Sequence, residues 1–99
     1  MSFADLVIED RRYLILKALQ SSAGYKASTG LLQAFLDSFG QKVSADLLVA
    51  DLAWLNEMNL VSLDKLIDCS IVTLKPRGAD VAAGRSQHPG IRRPQAGEV

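Results

Sequence analysis

Residues 44–61, SADLLVADLAWLNEMNLV, decide the fold, because their pattern predicts a capped core helix that leads directly into a strand. Ser44 is a favourable N-cap, since its hydroxyl accepts a hydrogen bond from a first-turn amide that lacks a partner inside the helix. Asn59 suits the left-handed conformation that ends many helices. Three leucines recur at the spacing of one helical stripe: Leu48, Leu52 and Leu55. A core helix followed at once by a strand is typical of the third helix of a winged helix-turn-helix.

The flanking sequence predicts the remaining elements of that fold. Helical spacing of apolar residues predicts a first helix over 3–21 and a second from 28 or 29 to 39, with Gly40 ending it. Strand-like runs at 60–63 and 69–74 predict a two-stranded hairpin, the wing. Pro76 then opens a short fourth helix. The sequence therefore predicts a mainly α winged helix-turn-helix with three helices, a two-stranded wing, a short fourth helix and a flexible tail.

Composition points to one globular domain with a tail. The chain has 99 residues, 48% of them hydrophobic and 22% charged, which is enough for one modest core. Residues 86–99 are rich in Gly, Pro and Arg and show no apolar periodicity, so we predict a folded domain over 1–85 and a basic flexible tail over 86–99. The alternative interpretation of this segment is a disordered tail that only keeps the protein soluble.

Nothing in the sequence predicts an enzyme, a cofactor or a membrane protein. The only cysteine, Cys69, and the only histidine, His88, are too few for a usual zinc site, and no nucleotide or nucleophile motif occurs. No apolar run approaches the length of a membrane span, so we expect a cytoplasmic protein. We expect no metal and no small-molecule ligand. The paired carboxylates of residues 9–10 and of Asp64 with Asp68 are interpreted as solvated surface.

Asp51 is an exception to the otherwise apolar buried side of the third helix. An unpaired carboxylate there would be costly to bury, so a cation is expected beside it. We predict a structural ion pair with Arg11 or Arg12 of the first helix.

Two surfaces are candidates for binding. The net charge is zero, but residues 75–99 contain five basic and two acidic groups, a net charge of +3, and phosphate contacts are favoured there. The candidate DNA-binding residues are Lys65, Lys75, Arg77, Arg85, Arg92 and Arg93. The outward face of the third helix instead offers a candidate protein interface, formed by Leu47, Val49, Ala50 and Ala53. Three interpretations of that face stay open: a solvated surface, a protein contact, or major-groove recognition, for which it lacks donors.

Four segments resemble a family of small winged-helix proteins encoded by Mu-like phages and prophages. They are 9–12 (EDRR), 51–61 (DLAWLNEMNLV), 78–85 (GADVAAGR) and 89–94 (PGIRRP). Such proteins are similar in fold to ArsR-type bacterial regulators. The resemblance implies a phage protein of the host cytoplasm that is DNA-associated, in regulation or packaging, and is not a catalyst.

The functional expectation is therefore a non-enzymatic winged-helix protein bound to double-stranded DNA through its C-terminal segment. The alternative is a protein-interaction module, either an assembly adaptor or an inhibitor of a host factor, that docks a protein partner or a second copy through the third helix.

Overall fold

A computed structural model describes residues 2–98 and has the predicted winged-helix architecture. The helices are α1 (Phe3–Ser21), α2 (Thr29–Ser38), α3 (Ala45–Glu57) and α4 (Pro76–Ala82), and the strands are β1 (Lys26–Ser28), β2 (Val61–Lys65) and β3 (Ser70–Leu74). The strands form one antiparallel sheet in the order β1-β3-β2. The prediction of a winged helix-turn-helix is confirmed.

Local sequence signals set the helix boundaries. The Ser44 hydroxyl accepts a hydrogen bond from the Leu47 amide at 3.2 Å and so caps α3. Asn59 has a φ of 64° two residues after α3 ends, and Gly40 has a φ of 78° after α2. These left-handed residues turn the chain at both exits, where most side chains would be strained.

The sheet has one strand more than the two-stranded wing that the sequence predicts. Residues 61–65 pair with 70–74 as the expected hairpin, but Lys26 and Ser28 also pair with Thr73 and Ile71 of β3. A strand of three residues is too short to show an alternating apolar pattern. Ser28 also serves as the N-cap of α2, so the sequence around it is dominated by the helix signal.

The core lies between α1, α3 and the sheet. Leu48, Leu52 and Leu55 of α3 are at most 2% exposed. Gly78 allows α4 to pack closely on the start of the wing, since a Cβ there would lie only 2.2 Å from the Leu60 carbonyl oxygen. A larger side chain at position 78 would push α4 away from the sheet.

A buried ionic cluster joins α1 to α3. Arg11 is 7% exposed and Asp51 is 6% exposed, and the Arg11 Nε donates a hydrogen bond to an Asp51 carboxylate oxygen. The Arg12 Nε lies 3.7 Å from the other carboxylate oxygen. The structure thus brings together the three residues that the sequence assigned to an ion pair, and the carboxylate is shared by both guanidinium groups.

We expect Asp51→Ala to lower the free energy of unfolding by about 3 kcal/mol, because it leaves the Arg11 cation buried without its partner. Urea denaturation measures the loss. Glu57→Ala is the matched control, since it removes an exposed carboxylate of the same helix, and should change stability by less than about 0.5 kcal/mol. Equal effects of the two changes would contradict a structural role for the cluster.

Candidate functional site

The outward face of α3 is apolar at its edges and acidic at its ends. Val49 is 59% exposed and Leu47 is 53% exposed. Between them lie the exposed small side chains of Ala50 and Ala53, and the exposed carboxylates of Asp46 and Glu57 stand at the two ends of the helix. The two alanines and the two acidic residues share one face, since they occupy positions i, i+4, i+7 and i+11. No residue of α3 is basic.

A groove continues this surface towards the wing. It has a volume of about 350 Å³ and lies between the start of α2, the start of α3 and the end of the wing loop. Its lining is formed by Thr29, Gly30, Gln33, Ala45, Leu48, Val49, Asp68, Cys69 and Ser70, none of which is basic. At the wing tip, Leu66 is 54% exposed and Ile67 is fully exposed. We call the exposed side of α3, the groove and this tip the α3–wing face.

The six candidate DNA-binding cations divide into two groups. Lys65, Arg77 and Arg93 are exposed and make no ion pair within residues 2–98. The other three have intramolecular partners: the Lys75 ammonium donates to the Asn59 amide oxygen at 2.6 Å, the Arg85 Nε donates to Asp80 at 3.0 Å, and Arg92 is held by two carboxylates. Only the first group presents cations that are unpaired and open to solvent.

The C-terminal segment differs from the expected flexible tail. Residues 88–98, which we call the strap, contact α1 and α3 through His88, Gly90 and Arg92, and Ile91 is buried at 7% exposure. An Arg12 guanidinium nitrogen donates to the Gly90 carbonyl oxygen at 3.1 Å. Gly90 has a φ of 89°, and a Cβ there would lie 3.2 Å from the Trp54 ring. The strap therefore belongs to the packed structure, and the prediction of a mobile segment after residue 85 is wrong for these residues.

Arg92 fixes the second half of the strap. Its Nε donates to Asp10 at 2.6 Å, and its two terminal nitrogens donate to the Glu98 carboxylate at 2.8 and 3.0 Å. The guanidinium carbon lies 4.1 Å from the centre of the Tyr13 ring, a cation–π contact. Arg92 thus lacks the freedom to contact phosphate that the sequence-based hypothesis requires.

Asp10 is also placed differently from the prediction. The sequence assigned it to solvated surface, but its carboxylate accepts hydrogen bonds from Arg92 and, at 2.8 Å, from the Gln41 side-chain amide. Gln41 also donates to the Val7 carbonyl oxygen at 3.0 Å. Asp10 therefore connects the strap to the loop that precedes α3. Its place within the charged run of residues 9–12 was the only sequence signal, and such runs are common on solvated helix faces.

No protein-family model matches this chain. Protein gp26 of Escherichia phage Mu, described as uncharacterized, is 40% identical over 91 residues, which cover 92% of this chain and 94% of gp26. The chain belongs to the gp26 family. An uncharacterized protein of Haemophilus influenzae is 38% identical over 68 residues, which cover 69% of this chain and 66% of that protein.

Among solved structures, the gp26-family chain is similar to the complex structure of hsRosR-S4. The TM-score is 0.62 at 19% sequence identity, and the match covers 73% of this chain and 62% of the solved one, which is less than two thirds of its length. At this identity the likeness concerns the fold alone. It agrees with the winged-helix fold of this chain described above.

The described part of this gp26-family chain contains no group of three or more potential metal ligands close enough to hold an ion. No helix within residues 2–98 is both long and apolar enough to cross a membrane.

The strap should make the stability of the fold depend on pH. The hydrogen bonds from Arg92 hold the pKa of Glu98 at about 2, below its usual 4.5. Because the folded pKa is the lower one, Glu98 stabilises the fold above about pH 4.5, and this contribution is lost as the pH falls towards 2. We expect Glu98→Gln to lower the melting temperature at pH 7 and to match the wild type near pH 2. Thermal unfolding followed from pH 7 to 2 tests this, and a constant difference across that range would contradict it.

Proposed function

We propose that this gp26-family chain is a non-enzymatic phage or prophage protein that acts in the host cytoplasm by binding another protein through the α3–wing face. The observation that supports this proposal most is the composition of the exposed side of α3. It presents Leu47 and Val49 to solvent together with two alanines, and the only base-edge donor among its exposed side chains is Asn56 in the last turn.

Major-groove recognition would require more donors on this face than the single amide of Asn56. Arg, Lys, Asn and Gln supply most hydrogen bonds to base edges, and cations supply most of the affinity through the phosphates. The two charged side chains on the exposed side of α3, Asp46 and Glu57, are both repelled by phosphate. The apolar side chains there gain by leaving water, since complete burial of one aliphatic side chain is worth about 1.5–3 kcal/mol.

The test is a substitution that removes apolar surface and adds no charge. We expect Val49→Asn to weaken partner binding about tenfold, because it replaces a buried contact by an amide without a partner. Purified protein is immobilised, incubated with an extract of infected host cells, and the retained proteins are quantified. The melting temperature should stay within a few degrees of the wild type.

Leu6→Asn is the matched control, since Leu6 is an aliphatic residue that is 51% exposed on a different helix, α1. Its retained proteins should equal those of the wild type. Retention of the same proteins in the same amounts by Val49→Asn would exclude α3 as the docking face.

A second candidate function is association with DNA, in regulation or packaging. It is favoured by the winged-helix fold and by the exposed guanidinium groups of Arg77 and Arg93, which make no ion pair within residues 2–98. These residues and Lys65 would contact phosphates, which gives affinity without sequence preference. Arg92 has no part in this proposal, because it is bound to Asp10 and Glu98.

For DNA association we expect the double change Arg77→Ala and Arg93→Ala to reduce the slope of log affinity against log salt by roughly two units, about one per lost phosphate contact. Fluorescence anisotropy with a labelled duplex at 50–200 mM salt measures the slope. Both side chains are exposed, so the unfolding transition should not change. An unaltered slope would remove these two residues from any DNA contact.

A further inference from the structure

The exposed side of α3 has a negatively charged side chain at each end, and this charge favours some partners over others. Asp46 and Glu57 stand at the two ends of the row that also contains Ala50 and Ala53. The two residues are eleven positions apart, which corresponds to about 16 Å along the helix axis. The partial charges at the two helix ends are opposite in sign and sum to zero over the helix, so the net charge of this face comes from the two side chains.

The neighbouring wing has the same sign. Asp64 and Asp68 flank the tip and are opposed there by the single cation Lys65. All three side chains are exposed, and Asp68 lines the groove beside Val49. The α3–wing face therefore combines large apolar side chains with a net negative charge.

A second copy of the chain is a poor occupant of this face. If two α3 helices packed together in either direction, carboxylates would meet carboxylates at the ends of the row, and like charges placed together oppose association. DNA is repelled for the same reason. The complementary surface is a cationic one with an apolar stripe.

We propose that the α3–wing face binds a basic amphipathic helix of another protein. This inference rests on the proposed function and names the chemistry of the partner. The partner helix lies along α3 with its apolar stripe against Ala50 and Ala53, whose small side chains allow close approach of the two axes. Val49 and Leu47 flank the stripe, and Lys or Arg side chains about three turns apart on the partner meet Asp46 and Glu57.

Three synthetic peptides of 18 residues test the partner chemistry. The first is an amphipathic helix of Leu and Lys, the second replaces each Lys by Glu, and the third contains the Leu and Lys residues in scrambled order. Anisotropy of labelled peptide is measured against the full-length protein at 50 and 300 mM salt. We expect the first peptide to bind, to weaken at higher salt, and to bind at least tenfold more tightly than the other two.

Two variants locate the site and separate its charge from its apolar contacts. We expect the double change Asp46→Asn and Glu57→Gln to weaken binding of the first peptide about fivefold, since it removes two exposed charge pairs. Val49→Asn should weaken it about tenfold, and Leu6→Asn should leave it unchanged.

The outcomes distinguish the inference from the proposed function. If the Leu/Glu peptide binds as tightly, if neither Leu/Lys peptide binds, or if Val49→Asn or the neutral double variant leaves the affinity unchanged, the basic helix is the wrong partner. The experiment with host-cell extract tests docking through α3 separately, because it measures whether Val49→Asn retains less of a partner protein than the wild type. If Val49→Asn loses that partner and any of these peptide results is also obtained, protein docking through α3 is supported and the basic helix is rejected as its partner.

Discussion

The structure depends on the charge of Asp51 inside the helical core. A carboxylate at 6% exposure requires a cation, and Arg11 supplies it from the neighbouring helix. This requirement fixes how α1 and α3 are rotated with respect to each other, because leucines alone would pack in several similar ways. Arg12 then stacks on Trp54 at 3.8 Å and holds the carbonyl of Gly90, so the same cluster also positions the strap.

The successive residues Arg11 and Arg12 therefore make different contacts. Arg11 faces the core and neutralises Asp51, whereas Arg12 lies at the edge of the core and joins α1, α3 and the strap. Asp10, the residue directly before Arg11, accepts hydrogen bonds from Arg92 and Gln41. A run of charges in a sequence usually indicates a solvated face, but here it forms the connection between the helical core and the C-terminal segment.

Much of the fold could be predicted from the sequence, because helical periodicity and capping residues are local signals. The four helices follow from them, and Asp51 stood out as a carboxylate on a leucine face. The strand β1 and the strap could not be predicted in this way. Ile91 is a single apolar residue among Gly, Pro and Arg, and its burial depends on a pocket that only the tertiary structure forms. The candidate surfaces were visible in the sequence, but which cations are already paired depends on distant contacts such as that of Arg92 with Asp10.

The strap covers one side of Trp54, and this gives the protein a built-in optical probe. The indole is the only one in the chain, the Arg12 cation lies over its face, and the His88 ring meets it edge-on at a centroid distance of 5.4 Å. Release of the strap would remove the His88 and Gly90 contacts while α1 and α3 stay packed. A change in tryptophan emission that precedes the loss of helical circular dichroism would therefore signal local opening of the C-terminal segment before global unfolding.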